Sequence, residues 1–130
     1  MTGELDLDRM LADLEPSLHS GEFVFCSLTG ADYGDYADLS PLASVLEPEG
    51  LSLVLPRAAA DRAGLGYAAA YCCISLGVHS SLEAVGLTAA IAGRLAARGI
   101  SANVIAGCRH DHILVPAKRA QDAMDTLAPA

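Results

Sequence analysis

The sequence predicts an α+β protein of the ferredoxin-like class, and three observations carry that prediction. Apolar residues recur with helical spacing in some segments and form short continuous runs, typical of strands, in others. From residue 67 onward these segments follow the order β-α-β-β-α, a split βαβ arrangement without its last strand. Two similar stretches, 44–63 and 103–123, each read as strand, turn, strand, proline and short helix. The chain therefore predicts two copies of one unit.

The first copy is predicted to contain two short helices, three strands and one long polar loop. Pro16 ends the first helix, since its ring does not fit a helix interior. The hairpin turns through Glu47-Pro48-Glu49-Gly50, where proline and glycine supply the special dihedrals. The predicted segments are a helix at 8–14, a strand at 23–28, a loop at 30–41, strands at 43–46 and 51–55, and a helix at 57–63.

The second copy is predicted to begin with a long strand and to contain one well-marked helix. Leu87, Ile91 and Leu95 recur at i, i+4 and i+8, which gives one apolar stripe, and Gly99 ends the helix. The predicted segments are a strand at 67–78, this central helix, strands at 100–106 and 112–115, and a last helix that Pro116 opens.

The predicted domains are a first half, 1–66, and a second half, 67–130. The first copy is degenerate, because the loop at 30–41 stands where the second copy has its long helix. The second copy lacks a last strand, which leaves a sheet edge that must be covered. We expect the first copy or a partner chain to cover it.

Composition excludes several classes of function. The net charge is −8, from 16 acidic and 8 basic residues, whereas phosphate binding needs clustered Lys and Arg. The start of the sequence shows no signal peptide, and no apolar stretch is long enough for a membrane helix. We therefore expect a cytoplasmic protein that binds neither nucleic acid nor membrane. The four cysteines show no Cys-x-x-Cys spacing and are predicted to be reduced and mostly buried.

A polar cluster follows the strand at 67–78. His79, Ser80, Ser81 and Glu83 precede Gly86 and the helix, so the cluster is compatible with a helix cap, a catalytic group or a binding pocket. A serine hydrolase is disfavoured, since no Gly-x-Ser-x-Gly elbow is present. The sequence assigns no catalytic residue.

The segments 86–107 and 110–116 resemble the ACT domain, a small regulatory module. The resemblance lies in the loop glycine Gly86, the helix end at 95–100, the small polar Asn103 in a strand, and the final strand at 113–115. With the first half included, the chain is similar to small bacterial tandem-ACT proteins of unassigned activity. The resemblance implies an ACT fold in tandem with a degenerate first copy.

The resemblance further implies a binding protein. ACT domains typically bind a small amino acid at a domain or subunit interface, between the loop after the first strand and the second strand. Six residues, 80–85, make that loop longer here than in a simple ACT domain. Carried over, the site comprises His79, Ser80, Ser81, Glu83, Val85, Gly86, Leu87, Asn103, Val104 and Ile105.

Each of these residues also has a plainer interpretation. Ser80 or Ser81 is expected to cap the helix, with Glu83 complementing the helix dipole. Gly86 is also compatible with close packing of the helix on the sheet, and Asn103 with the solvent side of a strand.

A metal site remains an alternative at His110 and His112, with His79 or Cys108 as a third ligand. However, Asp111 and its neighbours fall in a tight turn, where polar residues are expected anyway. The sequence therefore assigns no metal and no cofactor.

The sequence thus predicts a non-enzymatic module that binds a small molecule, an amino acid by preference, and acts as a homo-oligomer, a dimer by preference. The alternative is a structural protein that associates through ACT-like sheets and has no working pocket.

Overall fold

The computed structural model describes residues 3–129 and divides into two compact units. One, here the split unit, comprises the chain up to His19 together with everything from Cys72 onward; the other, the continuous unit, comprises Ser20–Tyr71. The elements in chain order are α1 (Leu7–Ala12), β1 (Pro16–Leu18), β2 (Phe23–Leu28), a 3-10 helix (Ala37–Leu39), β3 (Ala43–Glu47), β4 (Gly50–Pro56), α2 (Arg57–Arg62), β5 (Ala70–Leu76), α3 (Leu87–Ala97), β6 (Asn103–Ala106), β7 (Asp111–Pro116), a second 3-10 helix (Ala117–Arg119) and α4 (Ala120–Leu127).

The predicted α+β ferredoxin-like fold is confirmed, and so is the repeat. The stretches 44–63 and 103–123 fold as β3-β4-α2 and as β6-β7 followed by α4. Each pair of strands is an antiparallel hairpin. Each second strand ends in a proline, Pro56 or Pro116, beside the N-terminal end of the helical segment that follows.

The continuous unit orders its strands β3-β4-β2, and Ala70 and Tyr71 at the start of β5 pair antiparallel with β2. Alternation along β2 turns Val24 and Cys26 inward, against Leu53 and Leu55 of β4. The 3-10 helix stands between β2 and β3, where the split unit has α3. Its Leu39 packs on this small core, to which α2 contributes the buried Ala60. The degenerate copy thus has a loop and one short turn in place of the long helix.

The split unit orders its strands β1-β5-β7-β6 and packs α1, α3 and α4 on one face. The predicted stripe of α3 is confirmed as core, since Leu87, Ile91 and Leu95 are at most 4% exposed. These side chains pack in one cluster with Ile74 of β5 and Ile113 of β7. Cys73, Ser75 and His112 alternate with the core residues of β5 and β7 and therefore lie on the opposite face of the sheet.

The strand that completes this sheet is β1, from the first half of the chain. It pairs antiparallel with β5, with Ser17 opposite Ser75 and Leu18 opposite Ile74. The sequence predicted no strand at 16–18, because a run of three residues that includes a proline is shorter than the usual strand pattern. The structure therefore places the missing strand within the same chain.

The two compact units have other boundaries than the predicted domains, which meet between residues 66 and 67. Met10 of α1 and Leu14 are 0% and 2% exposed and belong to the core of the split unit. Residues 3–19 therefore pack with the second copy, although the repeat itself follows the sequence order.

No helix within residues 3–129 has both the length and the apolar character needed to cross a membrane.

Candidate functional site

The first turn of α3 carries no side-chain cap. Its N-cap is Gly86, with φ at +100°, and the Ala90 N–H donates to the Gly86 carbonyl at 2.9 Å. The first amides of an α-helix have no partner within the helix, and glycine offers no side-chain oxygen to accept from them. The Leu87, Thr88 and Ala89 amides therefore point out of the helix end.

The expectation that Ser80 or Ser81 caps α3 is wrong. The Ser81 hydroxyl accepts from the Glu83 N–H at 3.1 Å, and the Ala84 N–H donates to the Ser81 carbonyl at 3.0 Å. Ser81 thus stabilises a separate turn before the helix, because α3 begins at Leu87, several residues later.

The chain start holds the loop at 79–81 in place. The Glu4 N–H donates to the His79 carbonyl at 2.7 Å, and the Ser81 N–H donates to the Glu4 carbonyl at 2.9 Å. A Cβ at Gly3 would lie 2.6 Å from the Ser80 carbonyl carbon, so only glycine allows this approach. The long loop is therefore anchored by backbone hydrogen bonds.

A pocket of about 480 Å³ opens at this end of α3. Its walls are the loop after β5, the first two turns of α3, and the facing residues Ala106 of β6 and Asp111 of β7. Ala89 and Ala92 contribute only methyl groups from the helix. Four of the six extra loop residues, Ser80, Ser81, Leu82 and Ala84, thus form one wall, with Leu82 69% exposed at the rim.

Asp111 is the one buried charged residue among those that the structure describes, at 8% exposed. It lies on the helix-facing side of β7, on the same face as the core residues Ile113 and Val115. Burial raises the pKa of the Asp111 carboxyl, while His112 and His110 oppose that shift. Within residues 3–129 no other residue donates a side-chain hydrogen bond to this carboxylate, so the pocket holds a largely desolvated acceptor.

The structure brings four of the predicted site residues to the pocket: Ser80, Ser81, Gly86 and Leu87. Glu83 and Val85 are exposed outside its walls. The His79 ring lies beside that of His110, with ring centroids 6.1 Å apart. His110 Nδ1 is 3.3 Å from the Val78 carbonyl, an acceptor, so this histidine has a structural hydrogen bond.

None of the three predicted residues of β6 lines the pocket, and for two of them the reason is strand alternation. Val104 packs into the helix-side core, and so Asn103 and Ile105 lie on the other face of the sheet. Ile105 pairs with His112 there, and Asn103 is exposed.

Seven lining residues were not among the predicted site residues: Leu82, Ala84, Thr88, Ala89, Ala92, Ala106 and Asp111. A signal for Asp111 was present, since it occupies a core-facing position of a strand, where a charged residue is rare. The small helix residues gave no signal, because alanine in a helix is unremarkable.

Comparison with known proteins agrees with this architecture. Two models of the ACT domain match the chain in tandem, one over residues 2–72 and one over residues 69–129. No curated protein matches the chain.

Three solved structures illustrate the likeness. A Vibrio cholerae protein of unknown function, described as a possible transport protein, is 51% identical, covers 93% of this chain and 92% of its own, and gives a TM-score of 0.84. An Agrobacterium tumefaciens protein is 16% identical over 87% of this chain and 85% of its own, with a TM-score of 0.72. The regulatory subunit of aspartate kinase from Thermus thermophilus is 11% identical over 89% of this chain and 95% of its own, with a TM-score of 0.62. The last two share the fold.

With both halves matched and the tandem topology present, the chain belongs to the ACT-domain family.

Proposed function

We propose that the protein is a non-enzymatic regulatory module that binds a small amino acid in the α3 pocket. In response to this ligand it changes its association with a second molecule of the same protein. ACT domains are ligand-binding regulatory modules in general. The observation that carries the proposal is the buried Asp111 carboxylate in the same pocket as the uncapped helix end.

The two features match the two charges of an amino acid. Helix N-termini carry partial positive charge and free amides, which suit a carboxylate. A desolvated carboxylate suits an ammonium group, which would compensate the cost of its burial. In this assignment Asp111 receives the ammonium group, and the alanines of α3 leave room for a side chain.

Exposed apolar residues of the loop before α3 support the association step. Leu82 and Val85 are 69% and 84% exposed, and both belong to the loop that forms the pocket wall. A second molecule of the protein that packs against this loop would bury both side chains. A ligand that orders the loop would then favour one association state over another. We propose that it acts in the cytoplasm, a reducing compartment, since the cysteines form no disulfide within residues 3–129.

The test is a thermal-shift panel of the twenty amino acids with the full chain and with Asp111→Asn. At 100-fold excess over Kd, a ligand adds about 2.7 kcal/mol to the free energy of unfolding, which raises Tm by roughly 10 °C. We expect one or a few amino acids to give such a shift, and Asp111→Asn to lose it. The control Asp38→Asn removes an exposed carboxylate of the continuous unit and should keep the shift.

Light scattering of the full chain with and without that amino acid tests the association step. A change in mass on ligand addition is expected. A flat panel, with a constant dimer mass, would instead favour the alternative of a structural protein that associates without a working pocket.

A further inference from the structure

Three potential metal ligands meet on the face of the split-unit sheet that lies opposite the helices. They are His19, directly after β1, Cys73 of β5 and His112 of β7, and one ligand atom from each lies within 4.8 Å of the other two. They are far apart in sequence, and the sheet brings them together.

Strand register explains the convergence. Since Leu18 pairs with Ile74, His19 stands opposite Cys73, and the His19 N–H donates to the Cys73 carbonyl at 2.9 Å. The neighbouring strand β7 presents His112 on the same face. Backbone hydrogen bonds of the sheet therefore fix all three Cα positions, so the cluster is built on rigid elements rather than on a mobile loop.

Both imidazoles direct a ring nitrogen toward the Ser75 hydroxyl. The Ser75 Oγ lies 2.6 Å from His19 Nε2 and 2.6 Å from His112 Nδ1. A hydroxyl carries one hydrogen and can donate to only one of these nitrogens. The other imidazole must therefore donate its N–H to the Ser75 oxygen. Two ring nitrogens thus lie around the Ser75 hydroxyl, close to the Cys73 thiol.

We propose that His19, Cys73 and His112 bind one Zn²⁺ ion, through Nε2, Sγ and Nδ1, with a water as the fourth ligand. Two imidazoles and a thiolate are a donor set that zinc accepts in tetrahedral sites with three protein ligands. On binding, the Cys73 thiol loses its proton to solvent as the S–Zn bond forms, and the imidazoles bind as neutral nitrogens. Ser75 positions both rings beforehand and turns its hydroxyl aside when the ion enters.

This site is separate from the α3 pocket, because Asp111 and His112 are consecutive residues of a strand and face opposite sides of the sheet. It also differs from the metal alternative that the sequence offered, with which it shares only His112. His110 bonds instead toward the Val78 carbonyl, and Cys108 is exposed outside the cluster.

The experiment is a titration of the chelator-treated full chain with Zn²⁺ in competition with a chromophoric chelator, and in parallel with Co²⁺. We expect one ion per chain and the near-ultraviolet charge-transfer absorption of a thiolate–Co²⁺ bond. Cys73→Ala should abolish that absorption, and the matched control Cys108→Ser should keep it. His19→Ala, at a half-buried strand end, should weaken Zn²⁺ binding by at least about 100-fold, since even outer partners of metal ligands matter by 10- to 100-fold.

Ser75→Ala separates a metal site from a plain hydrogen-bond network. A metal site keeps its three ligands in this variant and should still bind one Zn²⁺ ion with the thiolate absorption. Circular dichroism of each variant verifies that it is folded. The proposal is overturned if the folded wild-type chain shows no thiolate–Co²⁺ absorption, or if the absorption survives in Cys73→Ala and disappears in Cys108→Ser.

Discussion

Two glycines at α3, Gly86 and Gly93, differ in backbone conformation and in the space around them. Gly86, before the helix, has φ at +100°, and an added Cβ would lie 3.1 Å from the Leu7 side chain. Gly93, within the helix, has an ordinary backbone, and an added Cβ would meet nothing within 4 Å. The same residue type thus meets opposite constraints, and Gly86 serves packing against α1 as well as the pocket.

Alanine substitutions at these two glycines should change stability in opposite directions. Gly86→Ala should lower the free energy of unfolding by about 1–3 kcal/mol, because it places a side chain in the left-handed region. Gly93→Ala should raise it by about 0.5–1 kcal/mol, since alanine loses less conformational entropy in a helix. Urea midpoints of the two variants give the measurement. Equal shifts of the same sign would contradict the assignment of Gly86 as a strained N-cap.

At the scale of elements, β1 is the shortest strand and has a large structural effect. The Gly77 N–H donates to the Glu15 carbonyl, and the His19 N–H donates to the Cys73 carbonyl. Because bonded pairs alternate in an antiparallel ladder, Ser17 also faces β5 with its backbone groups, while Pro16 and Leu18 face away. A proline is therefore tolerated at Pro16, where no N–H is required.

Proline substitutions at neighbouring positions test that register. Ser17→Pro should remove a ladder donor and leave the Ser75 carbonyl without its backbone partner, at a cost of about 1–3 kcal/mol. Leu18→Pro, with its N–H directed outward, should cost less. Hydrogen exchange of the β5 amides, measured with urea unfolding, should show loss of protection in the first variant. A larger effect from Leu18→Pro would mean that the register is shifted by one residue.

The elements of this fold were largely predictable from sequence, and the sites were less so. The stripe of Leu87, Ile91 and Leu95 fixes the buried face of α3 through local periodicity alone. Asp111 joins the pocket through a hairpin and a helix that begins 24 residues earlier in the chain, at Leu87, and this depends on tertiary pairing. His19, Cys73 and His112 likewise meet only after three strands align, which no local pattern encodes.

At the scale of the whole molecule, the two compact units do not coincide with the two halves of the sequence. The split unit needs both the chain start and the second half, because β1 and the buried Met10 and Leu14 belong to its sheet and core. The continuous unit lies between them in sequence, as an insertion after His19.

Two shortened chains test this division. Residues 67–130 alone should lack a cooperative thermal transition, since they expose the β5 edge and part of the core. Residues 3–19 joined to 72–130 by a short glycine-containing turn should fold cooperatively, because His19 and Cys73 are already hydrogen-bonded neighbours. Differential scanning calorimetry measures both. Cooperative folding of 67–130 alone would show that β1 is dispensable.

The strand order β1-β5-β7-β6 has a further meaning for the architecture of the split unit. In a βαββαβ unit the last strand lies beside the first, whereas here the strand in that place comes from the start of the chain. The split unit is thus a circular permutant of the ferredoxin-like order, opened after α4 and closed between β1 and β5. In the same terms, the continuous unit is the covalent linker between β1 and β5, so 52 residues stand in the sequence where a hairpin loop of a few residues would be enough.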